Sequence, residues 1–97
     1  MKKVTIQGVC TGVNNMVIID VFSSNATKKP YDVRKVFYKS FVFELDDLEP
    51  GTSYIVDITG FTFGTFDLNI TGEITKSVQA SFSKTDFSPG YLIKTKK

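Results

Sequence analysis

Few residues in this chain have catalytic chemistry, and those few do not come in catalytic sets. There is no histidine among the 97 residues, which removes Ser-His-Asp and Cys-His catalysis, His-ligated zinc and the commonest proton shuttle at neutral pH. Cys10 is the only cysteine. It can form neither an internal disulfide nor a cysteine-rich metal site, and near the end of an early strand it reads as a small packing residue, not a nucleophile. Glu44, Asp46, Asp47 and Glu49 form the one dense acidic group. Two such carboxylates could do acid–base work in a glycosidase, but these crowd a turn, where charges are ordinarily solvated. Their spacing matches no calcium loop, and calcium asks for about six or more oxygens. Gly60-Phe61-Thr62-Phe63-Gly64 lacks the lysine and the following helix of a phosphate-binding loop. The reading is a non-enzymatic protein with no catalytic residue, no cofactor and no metal.

Aromatic residues carry the binding signal instead. Between Val33 and Leu45 the chain holds Phe37, Tyr38, Phe41 and Phe43. With period-two alternation, Phe37, Phe41, Phe43 and Leu45 share one face, and Val36, Tyr38 and Val42 share the other. One face must fill a core; the other lies under a loop or forms a contact surface. The run Phe61-Thr62-Phe63-Gly64-Thr65-Phe66 is a second lead, since Phe61, Phe63 and Phe66 at the end of a β-sheet either cap the core or stack on a sugar or a partner. Asn25-Ala26-Thr27 and Asn69-Ile70-Thr71 match the glycosylation acceptor pattern, which matters only in a eukaryotic secretory setting.

The elements that position these residues are strands. Val4, Ile6 and Gly8 alternate with Thr5 and Gln7, and Gly12–Asn15 then turns the chain. Met16–Phe22 is apolar on both faces apart from Asp20, as in a strand covered on both sides. Ser23–Asp32 is the longest polar stretch and reads as a loop. Val33–Tyr38 and Phe41–Leu45 are two strands or one long bent one. Tyr54, Val56 and Ile58 form one inward row and, after the Gly60–Gly64 region, Phe66, Leu68 and Ile70 form another. Val78, Ala80 and Phe82 alternate with Gln79, Ser81 and Ser83, and Ser88-Pro89-Gly90 turns the chain into Tyr91–Thr95. Roughly seven or eight short strands with regular turn signals predict a single antiparallel β-sandwich over residues 1–97, with a small barrel as the alternative.

Charge and length set further bounds. The formal net charge is +2. Lys2, Lys3, Lys94, Lys96 and Lys97 contribute five of the twelve basic residues, so the rest of the chain holds seven basic against ten acidic, or −3. A nucleic-acid-binding domain gathers its basic residues on one face; here they gather at the ends, and no specific nucleic acid is expected. No stretch approaches the roughly 20 apolar residues of a helical membrane span, and Val4–Gly8 is too polar for the core of a signal peptide. The expectation is a chain made in the cytoplasm and placed on a virion, or one located outside the cell if a leader has been removed.

Residues 45–56 read Leu-Asp-Asp-Leu-Glu-Pro-Gly-Thr-Ser-Tyr-Ile-Val. This segment resembles the L-x-P-G-T-x-Y-x-V turn of fibronectin type III and related immunoglobulin-like domains. Pro50 presets φ for such a turn, Gly51 takes the positive φ that follows, and Leu48 plugs the corner. The resemblance implies an immunoglobulin-like sandwich in which Tyr54 buries its ring and returns its hydroxyl to a nearby backbone group. It also implies an adhesive, spacer or structural role. The functional expectation is therefore a structural or interaction module that meets a protein partner or self-assembles, such as a virion decoration or auxiliary protein. A surface adhesion or carbohydrate-binding module cut from a larger secreted protein is the second expectation.

Overall fold

Alternation of apolar and polar residues dictates strands throughout. The computed structural model describes residues 1–23 and 31–97 and forms, among them, seven strands and no helix. They are β1 (Lys2–Cys10), β2 (Asn15–Phe22), β3 (Asp32–Phe37), β4 (Phe41–Leu48), β5 (Ser53–Gly72), β6 (Val78–Phe87) and β7 (Gly90–Lys94). Every pairing is antiparallel, so the all-β antiparallel expectation holds. The inward rows Val4, Ile6; Val17, Ile19, Val21; Tyr54, Val56, Ile58; and Phe66, Leu68, Ile70 are all buried in one core.

The strands form one continuous sheet centred on β5. Gly60, Phe61 and Thr62 pair with β2 and also with β6, so those two strands lie on opposite edges of β5. The same reasoning at residues 66–70 sets β1 opposite β6. Hence β1 and β2 follow one edge of β5 end to end, and β6 and β7 follow the other. Outside them, β3 pairs with β2 and β4 with β1. The molecule is in effect four long paths, in the order β3–β4, β1–β2, β5, β6–β7.

These paths cannot be straight. Twenty residues of extended chain reach about 63 Å, yet the longest dimension of the molecule is 40 Å. All the paths bend along a single crease. It runs through residues 38–40, 11–14 and the β5 bulge between Thr62 and Thr65, which faces Ser83–Thr85 of β6; residues 88–89 lie further along, opposite Ile58. Two sequence expectations change accordingly. Gly12–Asn15 and Ser88–Gly90 break their strands without reversing the chain, and Gly60–Gly64 holds the bulge in the pairing with β6 while β5 itself runs on through it. Met16–Phe22 is also covered on one face only: Met16, Ile18 and Phe22 on its outer face are half-buried.

Inside the crease lies a stack of phenylalanine rings that crosses the sheet. Phe37 of β3 stacks on Phe41 of β4 at 4.1 Å, Phe41 meets Phe66 of β5 at 6.2 Å, and Phe66 meets Phe87 of β6 at 5.1 Å. Strand β1 lies between β4 and β5, and the stack closes over it because Gly8 has no side chain. A Cβ there would fall 2.4 Å from Phe41 and 2.6 Å from Phe66. Gly8→Ala should therefore force the rings apart and cost about 1–3 kcal/mol, read as a fall in unfolding temperature with no change in strand content.

At the far end, β4 crosses to β5 over the start of β1. Gly51 has φ 62°, Leu48 and Tyr54 are buried, and the Glu49 N–H donates to the Tyr54 hydroxyl at 2.8 Å. Tyr31 packs edge-on against Tyr54 at 5.5 Å and donates its hydroxyl to Asp47 Oδ1 at 2.9 Å. Burial first, and then the bond to Asp47, push the Tyr31 phenol well above its usual range; burial also raises Tyr54 and Tyr91. A phenol whose pKa is higher folded than unfolded contributes stability that is fully present below its unfolded value near 10 and is lost as pH rises past it. The unfolding temperature should accordingly fall above about pH 10, and Tyr31→Phe should flatten that fall in a pH series.

Candidate functional site

Bending four paths at one line breaks the ladder there, and each exposed backbone group needs another partner. Backbone supplies some of them, the Thr11 N–H donating to the Thr65 carbonyl at 3.1 Å and the Phe63 N–H to the Asn14 carbonyl at 3.2 Å, and side chains supply others. The Ser40 hydroxyl accepts from the Cys10 N–H at 2.8 Å and lies 3.3 Å from the Cys10 carbonyl, tying the β3–β4 link to the end of β1. Thr11 Oγ1 accepts from the Thr65 N–H at 2.9 Å and shares a hydrogen bond with Thr65 Oγ1 at 2.7 Å. Below them, buried Asn15 donates from Nδ2 to the Gly12 carbonyl at 2.7 Å and accepts at Oδ1 from Thr62 Oγ1 at 2.7 Å. Thr62 Oγ1 in turn accepts from the Gly64 N–H at 3.1 Å. On the other side of β5, the Ile58 N–H donates to the Pro89 carbonyl at 3.0 Å.

Over this network the links open a groove of about 740 Å³, lined by Cys10, residues 12–15, residues 38–40 and Phe61. Phe61 also walls two smaller hollows, of about 470 Å³ with Phe63 and Asp86, and about 380 Å³ with Met16 and Ser88. It is the ridge from which three depressions fall away. The register explains the company it keeps. Met16 pairs with Phe61, and Ile18 pairs with both Val36 and Thr59. Val36 and Tyr38 are two residues apart on one face, and the Phe63 ring lies 5.7 Å from Phe61. An apolar and aromatic band thus runs across the outer face beside the crease, with Tyr38 64% and Phe63 65% exposed.

Most of the sequence-derived binding residues belong to this band. Val36, Tyr38, Phe61 and Phe63 are brought together, although they come from two separate stretches of chain. Val42 is 60% exposed but lies on the outer face of the other half of the sheet, beside Gln7. Phe66 is a correction. It is fully buried in the ring stack, because the bulge leaves it on the inward row with Leu68 and Ile70, and it can touch no partner. Met16 and Ile18 were missed as members of the band. Their signal was in the sequence, as the second apolar face of β2, but it reads there as core.

The other candidates are dispersed. Cys10 is half-buried, and burial pushes its thiol up, away from the reactive thiolate. Glu44, Asp46 and Asp47 are exposed, and among the described residues no three His, Cys, Asp or Glu side chains converge. Asn25–Thr27 lies outside the described residues, whereas Asn69 is half-buried on β5 between Gln7 and Gln79. Comparison of the chain with protein-family models, curated proteins and solved structures finds no match.

The groove floor rests on the Asn15–Thr62 pair. In a double-mutant cycle, Asn15→Ala and Thr62→Val should each destabilise by about 1–3 kcal/mol, and the double variant should cost less than their sum. Strict additivity in denaturant titrations would show that the pair does not act as a unit.

Proposed function

We propose that this protein is a non-enzymatic interaction module that docks on a protein partner, or on an assembly of its own kind, through the outward band formed by Val36, Tyr38, Met16, Ile18, Phe61 and Phe63. The observation that carries the reading is the exposure of Tyr38 and Phe63 beside an open groove. Large rings held out to water on a rigid sheet have little conformational entropy to lose on docking, and aromatic anchors dominate protein interfaces. The buried Asn15–Thr62 network beneath them holds the band in one shape. A virion decoration or auxiliary protein, made in the cytoplasm and docked on a particle, is the setting proposed. In finer detail, the unit is read as an immunoglobulin-like sandwich. The buried Tyr54 corner supports that reading, and so does the folding of both halves of the sheet around one core.

A second reading follows from the groove. Tyr38 and Phe61 offer ring faces there, next to the polar side chains of Asn14, Lys39 and Ser40. Rings flanked by amide and hydroxyl groups are the combination that stacks and hydrogen-bonds a sugar, as in a carbohydrate-binding module of a secreted protein.

Both readings are tested by the same variants. Tyr38→Ser and Phe63→Ser should leave stability within about 0.5 kcal/mol, whereas Phe66→Ala should cost about 3–5 kcal/mol. A benzoylphenylalanine replacing Phe63 should crosslink to a protein in the cells or particles that contain this chain, and one replacing Gln79 should not. Crosslinking at position 79 alone would remove the band from consideration. Binding on a glycan array that Tyr38→Ser abolishes would favour the sugar instead.

A further inference from the structure

Strands β3 and β4 together form one free edge of the sheet, and the two halves of that edge carry opposite charges. Among the described residues β3 pairs only with β2 and β4 only with β1, so the outer backbone groups of both lack a strand partner. Arg34 and Lys35 on β3 and Lys39 in the link are exposed, against one exposed carboxylate, Asp32, at the start of β3, so this half is net basic. Glu44, Asp46 and Asp47 on β4 are exposed as well. An exposed edge is a template for strand addition unless something blocks it, and here the charges prescribe what can add. A strand of one sign suits only half of this edge. A second copy laid parallel sets basic against basic and acidic against acidic. A second copy laid antiparallel sets each basic half against an acidic half.

We propose that the protein forms a two-fold symmetric homodimer by antiparallel pairing of its β3–β4 edge with the same edge of a second copy, centred on Ser40. In that register Arg34 of each copy lies opposite Asp46 of the other, with Glu44 diagonally beside it. Tyr38 lies opposite Val42, and both are exposed apolar residues, at 64% and 60%. Both pairs recur by symmetry. Even-numbered residues from Asp32 to Val36 and from Val42 to Asp46 face outward, so over that span the register keeps each side chain on its own face of the extended sheet. The crease is no obstacle, because a line through a two-fold axis normal to the sheet maps onto itself and the bent edges match. Arg34 remains available: it reaches Asp20 at 3.2 Å, but its side chain is 66% exposed. Opposite-charge cross-strand pairs stabilise such a contact, and like-charge pairs oppose it. The β6 edge offers no such instruction, since Val78–Ser83 carries no charge. The dimer goes beyond the docking role proposed above and does not depend on it.

The test is sedimentation of the whole chain over a concentration series. The wild type should pass from monomer to dimer, and the dimer should weaken as salt rises from about 0.05 to 0.5 M, because surface charges are screened. Arg34→Glu with Lys35→Glu turns the β3 half acidic; Glu44→Lys with Asp46→Lys turns the β4 half net basic. Each double variant, with its strand content checked by circular dichroism, should weaken its own dimer by about tenfold or more. An equimolar mixture of the two should restore association, because each now complements the other. A wild type that stays monomeric to about 1 mM, a dimer indifferent to both salt and charge reversal, or a mixture no tighter than its components would overturn the proposal.

Discussion

The bend is the constraint on which everything else in this molecule depends. Four paths of extended chain, far longer than the molecule itself, must turn along one line, and at that line the regular ladder cannot continue. A break in the ladder strands N–H and C=O groups, whose burial without a partner costs about as much as any hydrogen bond can return. The solution is local and chemical. Ser40, Thr11, Asn15 and Thr62 are short hydroxyl and amide side chains at the crease, and each bonds a backbone group there, while the Thr65 hydroxyl holds Thr11 in place. On the concave side the same line is filled by stacked rings, from Phe37 at one edge through Phe41 and Phe66 to Phe87. Polar stitching above and aromatic packing below hold one angle.

That angle determines what the surface offers. Curling brings both halves of the sheet around a single core, so one face of every strand is consumed and the other is left to solvent or to a partner. At the crease the links of residues 12–15 and 38–40 flank the groove that Tyr38 and Phe61 help to wall. A sheet curled short of closure also keeps two edges. One of them is neutral along Val78–Ser83, and the other is divided between basic β3 and acidic β4. The outward apolar band, the groove and the charged edge are thus products of one geometric decision.

Much of this was legible before any coordinates. The inward rows of β1, β5 and β6 follow from period-two alternation alone, because a side chain on an extended backbone has only two directions. The corner at Leu48–Tyr54 is as local. Pro50, Gly51 and Tyr54 carry their conformational and bonding preferences with them, and the hydroxyl finds the Glu49 N–H within the same short segment. The binding band was half legible. Val36, Tyr38, Phe61 and Phe63 stand out as apolar residues on faces that a core does not need. Phe66 reads both ways in sequence, as one of the aromatic run and as the start of the inward row with Leu68 and Ile70, and its full burial decides for the row.

By itself, then, the sequence determined that the chain is built of antiparallel strands, where most of them start and stop, and which residues of each are candidates for the core. What only the tertiary structure decided is what each turn signal does. Gly12–Asn15, Gly60–Gly64 and Ser88–Gly90 carry the composition of chain reversals, and all three instead sit on or beside a bend in paths that continue. The physical reason is that glycine, proline and asparagine report local backbone freedom and a break in regular hydrogen bonding. Whether the chain then reverses or merely bends depends on which strand accepts the next bond, and that strand is remote in sequence.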